Sequence, residues 1–212
     1  MKKKQEGRTA GELLAELNAD PAFVARQREK ENALRCKEIE WRRAEAPIVT
    51  DLRQVGEEVE SVWDLVNTTR AYPRAIPILL KHLGRPYPDR VREGIARALA
   101  VPGAKVGLGT LLELFSRDPD QTALGSKQTI GRAIAAASDD EVLDDLIALV
   151  RDKKHGANRI ALLDPLVRSS DPRAHSVLLE LREDPELSHE VRVALRHSKR
   201  RQRVLRDPTP SR

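Results

Sequence analysis

Between residues 72 and 195, apolar positions recur in pairs of runs. A short leucine-rich run closed by a turn is followed by a second run whose inner positions are small. The first half of the unit appears at residues 75–83, 109–115, 145–149 and 177–181. Taking Leu79, Leu111, Leu146 and Leu178 as equivalent gives spacings of 32, 35 and 32 residues, which is the length of two helices with their turns. Strand-type alternation of β-branched and aromatic residues is missing, so the pattern predicts an all-α chain built of helical pairs.

The second runs match one another more closely. Gly94-Ile95-Ala96-Arg97-Ala98-Leu99-Ala100 aligns with Thr129-Ile130-Gly131-Arg132-Ala133-Ile134-Ala135 at an offset of 35. Val91, Ile95, Ala98 and Leu99 fall on one helical face, as do Ile130, Ala133, Ile134 and Ala137. Small residues on such a stripe let neighbouring helices approach closely. A third counterpart, residues 159–166, keeps Leu162, Leu163 and Leu166 but contains Pro165, which is expected to kink or end its helix. The fourth, residues 185–196, is shorter and more polar, as suits a terminal cap. Turn signals recur too: Tyr72-Pro73-Arg74-Ala75 and Asp171-Pro172-Arg173-Ala174 each place a proline where a first helical turn needs no amide partner.

The paired helices, the Asp171-Pro172-Arg173-Ala174 opening and the residue 94–100 run resemble HEAT repeats, particularly the short HEAT-like kind first associated with phycobilisome lyases. The resemblance covers residues 58–196, with residues 61–66 as a divergent first helix. It implies an armadillo-like alpha-alpha superhelix, a solenoid whose curved surface is a scaffold for protein partners. Proteins similar in this way include adaptors, regulators, lyase-type enzymes and DNA-repair enzymes, so the likeness speaks for fold and leaves function open.

Residues 1–57 follow a different pattern and are expected to form a charged helical extension. A short apolar helix is expected from Ala10 to Leu17, then a long one from Ala22 to Ala46 bounded by Pro21 and Pro47. Between Arg26 and Glu45, seven basic and five acidic residues leave little apolar stripe. Such a helix is either solvated along most of its length or held along a narrow edge containing Ala33, Cys36 and Trp41. Residues 197–212 are expected to be a disordered basic tail. No apolar run reaches membrane-spanning length, and no hydrophobic segment follows the Lys-rich start. With the lone Cys36, these features make the cytoplasm the expected location.

Charge changes the picture only once it is divided. The whole chain carries +5, but residues 2–8 contribute +3 and residues 196–212 contribute +6, so the body between them is mildly acidic at −4. The tail cations Lys199, Arg200, Arg201 and Arg203 can give weak, salt-sensitive contact with nucleic acid. Within the body, Arg97 and Arg132 occupy matching places in second helices, and Arg92, Arg159 and Arg192 lie near the starts or middles of theirs. The resemblance implies that second helices line the concave side, where these arginines would form a ladder for carboxylates or phosphates. The alternative is that each is satisfied by an acid in a neighbouring turn, such as Asp89 or Asp118, or by water.

Candidate chemistry is sparse. The five histidines are scattered, with no ligand pair one helical turn apart; His175 and His189 are the two that the last helical pair could bring together. Residues 103–110 have the glycines of a phosphate loop without its Gly-Lys-Ser/Thr ending or a preceding strand, so they read as a linker. Acidic residues 139–141, with Asp144 and Asp145, fit helix capping better than cation binding. The expected function is therefore a non-catalytic protein-interaction or scaffold module, without metal or cofactor and away from membranes, whose partner is another protein. A nucleic-acid-associated or DNA-modifying protein is one alternative. A lyase-like or chaperone-like accessory protein is another.

Overall fold

The computed structural model describes residues 9–118 and 125–196, with only the backbone at positions 12 and 13. The tail residues Lys199, Arg200, Arg201 and Arg203 lie outside the described residues. Among those described, all regular structure is helical. The chain divides into two units, Met1–Arg43 and Ala44–Arg212.

In the first unit lie α1 (Ala10–Ala19) and the beginning of α2 (Pro21–Gln54). Asp20 accepts a bond of 2.9 Å from the Ala22 amide, and Pro21 fills the first helical position, where its missing N–H costs nothing. Every residue from 25 to 40 is exposed, as the dense charge pattern requires.

The second unit begins within α2. The expected stop at Pro47 is corrected by the structure, since the helix runs on to Gln54. A proline inside a helix costs about 3 kcal/mol. The turns beyond it bury Ile48 and Leu52 completely, and each such side chain returns about 1.5–3 kcal/mol, so burial outweighs the lost amide bond.

Seven shorter helices then follow: α3 (Val62–Val66), α4 (Ala75–Leu83), α5 (Asp89–Ala98), α6 (Leu108–Arg117), α7 (Ser126–Ala137), α8 (Leu143–Arg151) and α9 (Leu163–Arg168). After them come α10 (Pro172–Glu180) and α11 (residues 188–196). Helix α5 packs on α3, α4 and α7, and α7 packs on α6 and on the 3-10 stretch Lys153–Leu162. Helix α8 meets that stretch, α9 and α10. The equivalent leucines Leu79, Leu111, Leu146 and Leu178 are all buried, as are both predicted stripes on α5 and α7.

Turn chemistry explains the joints. Pro172 opens α10 at its first position with Asp171 accepting from the Arg173 amide at 2.8 Å. Pro73 instead lies before α4, in a turn closed by the Ala75 amide on the Tyr72 carbonyl at 3.0 Å. The residue 103–110 linker folds into a 3-10 turn, Pro102–Gly107, leading into α6. Asp139 caps the turn Asp140–Val142 that precedes α8.

The third pair departs from the expected helix over 159–166. Its first part is the 3-10 stretch broken at Gly156, whose φ of 55° and ψ of −143° suit glycine. Pro165 neither kinks nor ends a helix there. It sits in the first turn of α9, where amides are unbonded in any helix.

At Gly131, α7 comes close to the 3-10 stretch and to Phe115. A Cβ there would stand 2.9 Å from the Ala161 Cβ and 3.2 Å from Cε2 of Phe115. Gly131→Leu is expected to cost about 1–3 kcal/mol through overpacking, measured by chemical denaturation. Gly109→Ala, where nothing lies within 4 Å of the added carbon, serves as the control and should lose nothing.

The core of this unit also holds charge. Arg159 is the largest fully buried side chain among the described residues. Its guanidinium donates to Asp184 at 2.8 Å, to Glu186 at 2.6 Å and to the carbonyls of Gly156 and Val150 at 2.9 and 3.3 Å. Nearby, buried Lys127 donates to the Asp118 carbonyl and lies 5.3 Å from the Phe115 ring centre.

Candidate functional site

An apolar cleft of about 430 Å³ lies in the second unit, between the α3–α4 connection and the end of α5. Its construction starts at α3. Ser61 caps this helix by accepting from the Trp63 amide at 3.2 Å, and Asp64 accepts from the Ser61 amide at 3.0 Å. Glu45 on α2 accepts from both the Ser61 hydroxyl and the Val62 amide, at 3.0 and 3.3 Å. The Ser61, Val62 and Trp63 amides and one buried carboxylate are thus satisfied together.

Trp63 lies flat against α5. A Cβ on Gly94 would sit 2.9 Å from the indole Nε1, so only glycine admits the ring at this distance. The Arg90 guanidinium stacks 3.7 Å above the ring centre, and that of Arg97 stands 5.8 Å from it. Glu93 links both arginines, at 3.4 Å to Arg90 and 2.8 Å to Arg97. The result is a fixed array in which Arg97 keeps two partners and still reaches the rim of the cleft.

Leu65, Tyr72, Ile76 and Val101 supply the walls, and Arg70 joins Arg97 at the rim. Tyr72 donates its hydroxyl to the Ala98 carbonyl at 2.8 Å, pinning the connection to the end of α5. Burial raises the Tyr72 pKa above its ordinary value, so the hydroxyl stays protonated and keeps this bond. Arg70 is tethered to the largely buried Glu57 at 2.7 Å. Such a cleft can take an apolar side chain while offering guanidinium donors to a neighbouring carboxylate or phosphate.

The five arginines grouped by sequence separate in space. Arg97 lines the cleft, and Arg132 is exposed on α7, the neighbour of α5. Arg92 pairs with Asp118 at 3.3 Å, the satisfied alternative. Arg192 lines a different hollow beside α10 and α11. Arg159 must be removed from any interaction face: it has no exposed surface, because the Gly156 turn directs it inward onto Asp184.

Trp63, Tyr72 and Arg70 were not singled out by sequence as binding residues. Only the glycine at position 94 hinted that a large side chain crosses α5. His175 and His189 do line one hollow together. Among the described residues, no group of three or more His, Cys, Asp or Glu is placed to hold a metal ion, and no single helix is long and apolar enough to cross a membrane. Cys36 is exposed. No protein-family model, curated protein or solved structure matches the chain.

Proposed function

We propose that the chain is a HEAT-like interaction module, a stack of helical pairs that binds an acidic segment of another protein and carries out no chemistry itself. The observation that carries this reading is the apolar cleft rimmed by Arg70 and Arg97. Support for the stacked arrangement comes from the order of packing, α5 on α7 and α7 on residues 153–162, with α8 on α10. Those contacts join elements one unit apart in the repeat. The cleft's tyrosine hydroxyl is already donated to a backbone carbonyl, and its cationic groups suit recognition better than proton transfer. An exposed thiol at Cys36 fits a reducing compartment, and we place the protein in the cytoplasm on that ground.

Affinity capture with the intact chain, followed by peptide mapping of the bound segment, tests the reading. The double variant Arg97→Glu with Arg132→Glu should lose binding by about tenfold or more, the order expected when buried charge-assisted contacts are reversed. It should remain folded, because both side chains are exposed and surface charge changes cost at most about 0.5 kcal/mol. Unchanged capture by a folded double variant would overturn the assignment of this face.

A further inference from the structure

A second surface, distinct from the cleft, lies at the last helical pair. His175 and Leu179 on α10, Arg182 just after it, and His189, Arg192 and Arg196 on α11 line a hollow of about 600 Å³. Their spacing explains the convergence: positions 175, 179 and 182 share one helical face, and so do 189, 192 and 196. Among the described residues, no carboxylate lines the hollow. His189 holds the adjacent Glu190 at 3.0 Å, while the buried Nδ1 of His175 has no hydrogen-bond partner.

The arginines here differ from those elsewhere in the unit. Across neighbouring elements Arg92 is committed to Asp118, Arg151 to Glu180 and Arg173 to Asp144. No ion pair or hydrogen bond links Arg182, Arg192 or Arg196 to an acid among the described residues. Three guanidinium groups around one hollow repel one another unless an anion joins them. In sequence, residues 197–212 add six basic residues, Lys199, Arg200, Arg201, Arg203, Arg206 and Arg212, against Asp207.

We infer that this hollow is a nucleic-acid contact surface that seats backbone phosphates. Each guanidinium can hold a phosphate oxygen through paired donors. A helical acidic peptide presents carboxylates only once per turn or so, whereas a nucleic acid presents one phosphate per nucleotide, which suits three guanidinium groups gathered around one hollow. Contacts of this kind position the strand and carry no base information. The hollow thus adds a fixed docking point to the basic end.

The test uses the full chain and fluorescein-labelled single-stranded RNA and duplex DNA of mixed sequence, followed by anisotropy between about 50 and 200 mM salt. Binding that weakens steeply with salt is expected. The variant Arg182→Ala, Arg192→Ala, Arg196→Ala should bind about tenfold or more weakly near 0.1 M salt, with a log–log slope shallower by about 2 to 3. All three side chains are exposed, so a thermal melt should match the unaltered protein. A full-length variant with Lys199, Arg200, Arg201 and Arg203 changed to Gln should keep measurable, salt-sensitive binding through the hollow. The inference is overturned if the unaltered chain binds neither probe at low salt. It also fails if the triple variant keeps the original affinity and slope, if the tail variant loses all binding, or if an acidic leucine-bearing helical peptide displaces both probes at lower concentration.

Discussion

Arg159→Met is expected to destabilise the protein by about 3–5 kcal/mol, the largest effect of any single substitution considered. The side chain has no exposed surface, and its partners do not relocate easily. Asp184 is itself largely buried and accepts two guanidinium bonds, at 2.8 and 3.3 Å. The Arg159 bond is the main reason the Asp184 pKa lies below the usual carboxylate range. Removing the arginine leaves that carboxylate and the Val150 and Gly156 carbonyls without their donor, and an uncompensated buried charge is the costly element. Glu186 is about half exposed and recovers water as its partner. Urea denaturation should show the loss as a lower midpoint at similar slope. The double variant Arg159→Met with Asp184→Asn should recover a large part of it, because asparagine removes the stranded charge and can still accept from the Glu186 amide, now 3.0 Å from Asp184. A single variant within about 1 kcal/mol of the unaltered protein would show that this pair is not held as buried as the geometry indicates.

Acid should weaken the fold well above the range in which its carboxylates titrate, and His155 is the reason. The imidazole is completely enclosed, 5.0 Å from the Phe115 ring. Burial, followed by the nearby positive charge of Lys127, pushes its pKa down to about 4. Lys154 and Arg159 act in the same direction, and Asp152, 3.7 Å from Nε2, opposes them. An unfolded histidine takes up its proton near 6.5. As pH falls from about 6.5 to about 4, the unfolded chain therefore binds more protons than the folded one, and stability declines by up to about 3 kcal/mol. Above that window the contribution is constant.

Equilibrium unfolding at a series of pH values should show this decline in the unaltered protein and a much flatter curve for His155→Leu. Leucine fits a site whose ring nitrogens have no hydrogen-bond partners, so it should cost little at neutral pH. Parallel curves for the two proteins, or an NMR titration of His155 near its ordinary value, would refute the assignment. The lowered carboxylates, Asp184 among them, lose their contribution only at lower pH, below the usual aspartate value.

Much of the helical framework was legible because it rests on local rules. The repeat of Leu79, Leu111, Leu146 and Leu178 marks positions that a helix must bury, and each is in the core. The same holds for the Ile130-Ala133-Ile134-Ala137 stripe, whose period of three and four residues is a property of one helix. Asp171 and Pro172 announce the start of α10 through backbone geometry that needs no distant partner. Proline was the weakest guide. Pro47 was overridden by the burial of Ile48 and Leu52, and Pro165 changed meaning because Gly156 shifted the start of its helix.

The candidate surfaces were less legible, because a side chain's role depends on what faces it. Arg97 and Arg132 occupy matching places in the aligned runs, and Arg159 opens the third counterpart. One rims a cleft beside Trp63, one is exposed on α7, and one is sealed beneath Asp184. Arg192 could be nominated from its place in a second helix, and His175 with His189 as a pair the last helices could bring together, but not their company of Arg182 and Arg196.

Sequence by itself determined the helical class, the spacing of the repeated helices, the positions that must be buried, and the division between a mildly acidic body and basic ends. These follow from periodicity and composition, which act along the chain. Tertiary structure alone decided which arginines are spent on internal carboxylates and which stay exposed at the surface. It also decided that Gly94 and Gly131 are places of close approach and that a histidine and an arginine share the core. Those outcomes depend on desolvation and on distances between residues far apart in the chain, quantities that exist only after the helices have packed.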